Sequence, residues 1–245
     1  MIAGIFYSLI AAIGDVLGGL LVVGPLGKPD ASRRRHLILA GLVAFGAGFM
    51  LAVAILEMIP ESFELGGGPF AVLLGYLAVH LTQHTLTPHF HFGEETHEDA
   101  MVSRGIGVWA LAGLLPHSFF DGVAISSGFL TSNGLGILMF GAVLLHKVPT
   151  GASLASIMIA SGHSGRNAIL AVLAIAGATV LGALITPALG VLSTFGLALS
   201  AGVTIYVAAS NLIPEVQREP GWIISGGVFL GVVAFMLARL MLPEV

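Results

Sequence analysis

Hydrophobic positions run along this chain in long blocks. Eight apolar stretches, 2–24, 37–63, 69–90, 105–130, 134–161, 167–190, 196–217 and 221–242, are separated by short segments of Gly, Pro and charge. A helix needs about 20 apolar residues to cross the hydrocarbon of a bilayer, so each block predicts one membrane-spanning helix. The expected fold is an all-α polytopic membrane protein with a single transmembrane domain, 1–245, whose first partner is the lipid bilayer. The first stretch, Ile2 to Gly24, lacks the basic start of a secretory signal and is longer than a signal-peptide core, so it reads as a retained span.

The polar segments between the blocks set an orientation. Lys28, Arg33, Arg34 and Arg35 follow span 1, Arg104 precedes span 4, Arg166 follows span 5 and Arg218 follows span 7. The alternate connections, Gly66–Pro69, Thr131–Gly134 and the turn near Thr194, carry no Lys or Arg. Positive charge marks the cytoplasmic side, which predicts a multi-pass protein of the cell membrane (inner or plasma) with both termini extracytoplasmic. Arg239, at the external end of span 8, is the exception.

Composition narrows the function classes. With 56% hydrophobic and 9% charged residues the chain cannot cover a soluble surface. Its formal charge of -4 is too small and dispersed to suggest nucleic acid as a partner. There is no cysteine, so a metal site would draw on His and carboxylates, with Met as a softer donor. Many of the 34 glycines sit inside spans, among them Gly41, Gly46, Gly48, Gly226, Gly227 and Gly231, as close helix packing in a membrane requires. Such faces also allow a homodimer.

An internal repeat is visible. Ala47-Gly48 leads to Glu57-Met58-Ile59-Pro60-Glu61, and Ala201-Gly202 leads at the same interval to Asn211-Leu212-Ile213-Pro214-Glu215. Span 2 runs outward and span 7 inward, so the copies are inverted, an arrangement that transporters use to hold substrate at the repeat interface. Spans 1–3 and 6–8 then flank a central pair, giving a 3+2+3 order.

The central pair carries the chemistry. Span 4 contains His117-Ser118-Phe119-Phe120-Asp121-Gly122 and span 5 contains His146-Lys147-Val148-Pro149-Thr150-Gly151. Each places a polar side chain four residues after a histidine, on one helix face. Ionisable groups are expensive in a bilayer, and a cluster of them marks an ion or substrate pathway. His117, Asp121 and His146 together would make a divalent-metal site, and Pro116 and Pro149 predict locally irregular backbone beside it.

These two strings resemble the fourth- and fifth-helix motifs of the ZIP (Zrt- and Irt-like protein) metal transporters, approximately His-Asn-x-Pro-Glu-Gly and His/Gln-Glu/Asp-x-Pro-Glu-Gly. The resemblance extends to the eight spans, both termini outside, the Ile-Pro-Glu ends of spans 2 and 7 and a His-rich cytoplasmic loop, about 84–103. It implies import of a divalent transition metal such as Zn2+, Fe2+, Mn2+, Co2+ or Cd2+ toward the cytoplasm, as substrate with no cofactor. It places the first metal site at His117, Asp121 and His146 with a contribution from span 2, for which Glu57 or Met50 is the candidate.

Departures from the family motifs shape the expectation. Ser118 stands in place of Asn, Lys147 in place of an acid, Thr150 in place of Glu, and Thr186-Pro187 in place of a span 6 Glu-Pro. Every expected ligand of a second, adjacent metal is thus neutral or cationic. At about 4 Å and an effective dielectric of about 20, a unit-charge pair is worth roughly 4 kcal/mol. The expectation is one metal, with Lys147 in the region of the missing cation. One carboxylate against one ammonium leaves the site without net negative charge, which suits a carrier that must release its cargo. Proton linkage through the imidazoles is a further expectation.

Peripheral groups complete the picture. Glu57 with Glu61, and Asn211 with Glu215, could form outer and inner rings for cations. His84, His89, His91 and His97, together with four acids, form a segment suited to loose metal capture. Two other classes compete: an integral-membrane zinc hydrolase, which lacks a His-Glu-x-x-His motif here, and a metal sensor that does not transport.

Overall fold

The computed structural model describes residues 2–24, 33–85, 104–217 and 222–241, with the side chains of 33–39, 84–85, 104, 215–216 and 223 left aside. Helix α1 is Ile2–Val23. Helix α2 begins at Arg33–Val53 and runs through a π-helical turn, Ala54–Met58, into Ile59–Glu64. Helix α3 is Pro69–Thr85, α4 is Arg104–Thr131 and α5 is Asn133–Ala160. Helix α6, Gly165–Ile185, ends in a 3-10 turn, Thr186–Ala188. Helix α7 is Gly190–Ile205, a second π turn, Tyr206–Leu212, and Ile213–Gln217. Helix α8 is Trp222–Met241. Among the described residues seven of these are long and apolar enough to cross a membrane, and α3 is described over 17 residues. Helix α7 starts six residues before the apolar block suggests, because Gly190 to Phe195 joins it directly to the 3-10 turn.

Large apolar side chains cover the outside, including Trp222, Phe229, Leu240 and Met241 on α8 and Phe6, Ile13 and Leu17 on α1. In water this surface would be unstable; facing lipid it is the expected one. The core is built instead of small residues and methionines, such as Ala47, Met50, Ala54, Met58, Met139 and Ala201.

The helix-to-helix contacts have a two-fold pattern. Gly18 of α1 lies on the Val148 carbonyl of α5, and Gly151 of α5 lies on the Asp15 carbonyl of α1. The second half repeats this: Gly182 of α6 lies on the Phe119 carbonyl of α4, and Gly122 on the Thr179 carbonyl of α6. The flanking helices do the same, with Gly48 on Val228 and Gly231 on Phe45 between α2 and α8, then Gly202 on Val72 and Gly75 on Leu199 between α7 and α3. A methyl at any of these glycines would run into a backbone carbonyl, so each is a point of backbone contact. The arrangement is 3+2+3, with α1–α3 and α6–α8 as inverted copies around α4 and α5. The two π turns fall at equivalent places and hold Glu57 and Asn211 respectively.

Short connections enforce this packing. Ser132 alone joins α4 to α5, and its side chain caps α5 by accepting from the Leu135 N–H at 3.0 Å. The turns after α2 and α5 each use a glycine with positive φ, Gly66 at 87° and Gly162 at 84°. Helices α4 and α5 continue through Pro116 and Pro149, so the departures from α-helical backbone lie at the π turns instead of beside these prolines. A π turn leaves its neighbouring groups out of register and often marks a functional position.

Candidate metal centre

Helices α4 and α5 meet as an antiparallel hairpin, and their His-x-x-x-x-Gly strings cross at mid-span. His117 Nε2 lies 3.4 Å from Asp121 Oδ2, one helical turn away, and His146 Nε2 approaches the same oxygen from α5 at 3.3 Å. The imidazole centroids are 5.3 Å apart. All three side chains are buried, and they form the group of donor atoms within 4.8 Å of one another found among the described His and acidic residues. His146 Nδ1 donates to the Ala142 carbonyl at 3.1 Å, so in the neutral ring Nε2 presents a lone pair to the carboxylate oxygen 3.3 Å away. Two facing lone pairs call for a cation or a proton between them. A tetrahedral zinc with bonds of about 2.0–2.1 Å separates its donors by about 3.3–3.4 Å, which is the distance of each imidazole Nε2 from Asp121 Oδ2, while the three residues' donor atoms as a set lie within 4.8 Å of one another.

The ammonium of Lys147 adjoins this group. It lies 3.0 Å from Asp121 Oδ2, 3.1 Å from Asp15 Oδ2 on α1 and 2.7 Å from the Thr179 hydroxyl on α6. Thr179 passes its own proton to the Ile175 carbonyl at 3.3 Å, so its lone pair is free to accept from the lysine. Sequence reasoning missed Asp15 and Thr179. Asp15 corrects the charge expectation: Asp15, Lys147 and Asp121 sum to one net negative charge beside neutral imidazoles, where a neutral site was expected. The signal was present, since Asp15 is an isolated acid in the middle of the first span.

Other expected positions fall elsewhere. The Thr150 hydroxyl donates to the His146 carbonyl at 2.9 Å and that of Thr186 to the Gly182 carbonyl at 2.7 Å, both bonds within their own helix. Ser118 is fully buried, and its hydroxyl has no partner among the described residues. Glu57 stands apart from the three-donor group, paired with Arg239, which accounts for that arginine's exceptional position. Asn211 donates to Gln83 Oε1 at 3.1 Å. Met50 belongs to the apolar core with Met58 and Phe235. Glu61 is half-buried near the C-terminal end of α2. The Glu215 and His84 side chains, and His89, His91 and His97 entirely, lie outside the described residues.

The sequence model described as ZIP zinc transporter matches residues 91–239, which include both histidine strings. The chain belongs to the ZIP family. Two curated relatives agree. This ZIP chain is 26% identical over 233 residues to the zinc transporter YKE4 of Saccharomyces cerevisiae, a match covering 82% of this chain and 66% of that protein. It is 30% identical over 129 residues to the zinc transporter ZupT of Enterobacter sp. strain 638, covering 48% of this chain and 46% of that one. The chain thus spans about two thirds and under half of these relatives' lengths. Family and fold make it a multi-pass membrane protein of a transporter family, and neither relative supports the hydrolase alternative.

Proposed function

We propose that this chain carries a divalent transition-metal ion, of the Zn2+, Fe2+ or Mn2+ type, across the cell membrane toward the cytoplasm. The ion is held singly by His117, Asp121 and His146. The observation that supports this is the separation of their donor atoms, 3.3 and 3.4 Å, in a site where an ammonium stands where a second cation would otherwise be. Three protein ligands leave a fourth position open, through which an ion exchanges water for imidazole on arrival and the reverse on release. Glu57 and Glu61 serve the outer approach and Asn211 the inner one, while the His-rich loop takes up the released ion. The termini lie outside, following the basic loops. Imidazolium cannot ligate, so binding releases or excludes protons and uptake falls as external pH drops.

The test is Zn2+ uptake into sealed liposomes holding the purified full chain. The expected result is saturable uptake, one tightly bound ion per chain, and loss of both in H146A. Uptake that persists unchanged in H146A, or binding without any transport, would sink the carrier reading; the second outcome would favour a sensor.

A further inference from the structure

We propose that Asp15, with Thr179, is a positioning pair that holds the Lys147 ammonium as a fixed internal counter-cation and thereby sets how tightly a divalent ion binds at His117, Asp121 and His146. The proposal rests on the metal-carrier reading above and adds residues from two further helices to it. Asp15 lies outside the stretch matched by the family model, residues 91–239, and Thr179 lies within it.

The geometry is that of a bracket. Three partners from three helices surround one ammonium, and the side chains of Lys147 and Asp15 are fully buried. Among the described residues the Asp15 carboxylate has no donor besides this ammonium. A lone carboxylate or a lone ammonium at this depth is costly, so the two stabilise each other. Nor can the bracket relax by moving a helix. Gly14 sits against the Lys147 β-carbon and Gly151 against the Asp15 carbonyl, which fixes α1 on α5 at this level.

The consequence for metal follows from charge. With Asp15 present, the ammonium is shared between two carboxylates and a hydroxyl, and Asp121 keeps part of its negative charge for the ion. Without Asp15, the whole ammonium falls on Asp121 and competes directly with the metal. Thr179 acts in the same sense, since its hydroxyl draws the ammonium toward α6 and away from Asp121.

The experiment measures Co2+ binding to the full chain in detergent, read by titration and by the visible absorption of the bound ion. D15N raises the Co2+ dissociation constant at least tenfold while leaving the saturated spectrum unchanged, because the ligands are the same. D15N/K147M, which removes the buried pair together, returns the constant to within threefold of the parent, and D15E restores part of the loss. A D15N protein that binds within threefold of the parent overturns the proposal. So does a double variant that stays as weak as D15N, which is the pattern of a purely structural residue. If D15N does not fold, T179V decides: a constant raised at least threefold supports the bracket, and an unchanged one overturns it. Absence of Co2+ binding by the parent, or binding unaffected by H146A, would instead strike the carrier reading, so the two failures are separable.

Discussion

The two halves of this molecule share a backbone plan and differ in charge. Asp15 of α1 and Thr179 of α6 occupy equivalent places, and both contact Lys147. Lys147 of α5 corresponds to Ser118 of α4, and Asp121 of α4 to Thr150 of α5. Farther out, the Glu57–Arg239 ion pair between α2 and α8 corresponds to the Asn211–Gln83 amide pair between α7 and α3. In each of these cases one member is charged and its equivalent is neutral. The glycine contacts, by contrast, recur faithfully in both halves. Backbone packing is therefore what the inverted repeat preserves, together with the equivalent histidines His117 and His146, while in each of the other pairs only one member is charged. A fully symmetric set would double the number of charged side chains buried between these helices.

The sharpest way to break this comparison is to neutralise equivalent ligand positions. D121N should lower Zn2+ uptake by a factor of at least ~100, since it removes the oxygen shared by both imidazoles, whereas T150V should stay within about threefold of the parent. Equal losses would mean that charge asymmetry is not what organises the site.

The next effect is on folding, and here the halves should behave alike. G122A and G151A each place a methyl in a backbone carbonyl of the facing helix and should each lower stability by about 3 kcal/mol, at the upper end of the overpacking range. G177A, where a β-carbon meets nothing within 4 Å, serves as the control. Thermal unfolding in detergent measures all three, and a marked difference between G122A and G151A would contradict the repeat.

The smallest effects come from the flanking pairs. R239Q leaves the buried Glu57 carboxylate without its partner and should cost about 1–2 kcal/mol, limited because the guanidinium is partly exposed. E57N/R239Q converts this pair into a copy of Asn211–Gln83 and should recover to within about 0.5 kcal/mol of the parent. Failure to recover would show that the ion pair does more than join α2 to α8.

Much of this was legible in the residues. Long apolar blocks locate helices because lipid leaves the backbone few alternatives, and His117, Asp121 and His146 stand out because polar groups in such blocks are rare. The repeat was visible where α2 and α7 end in similar strings and where α4 and α5 carry like-spaced histidine and glycine. Elsewhere it is hidden, since unequal loops shift the offset between halves from one span to the next and the conserved feature is a glycine against a carbonyl, which a side-chain pattern does not record. Lys147 was placed near the missing cation, but its anchors were not, because Asp15 and Thr179 lie four spans before and one span after it. Arg239 looked like an exception to the orientation rule until Glu57 supplied its partner. An isolated cation or acid within a span is thus a request for a partner whose location only the fold supplies.

The Asp15–Lys147 contact also bears on how the protein is made. The acid reaches the bilayer with the first helix, four spans before the lysine that neutralises it is synthesised. At the centre of a span an unpaired Asp costs about 2.5–3.5 kcal/mol on insertion scales. Until α5 arrives, the nascent first helix remains an uneasy resident of the bilayer, sheltered by the insertion machinery or sitting shallow. A chain that ends before residue 147 leaves the Asp15 carboxylate without the ammonium that it meets in the folded protein.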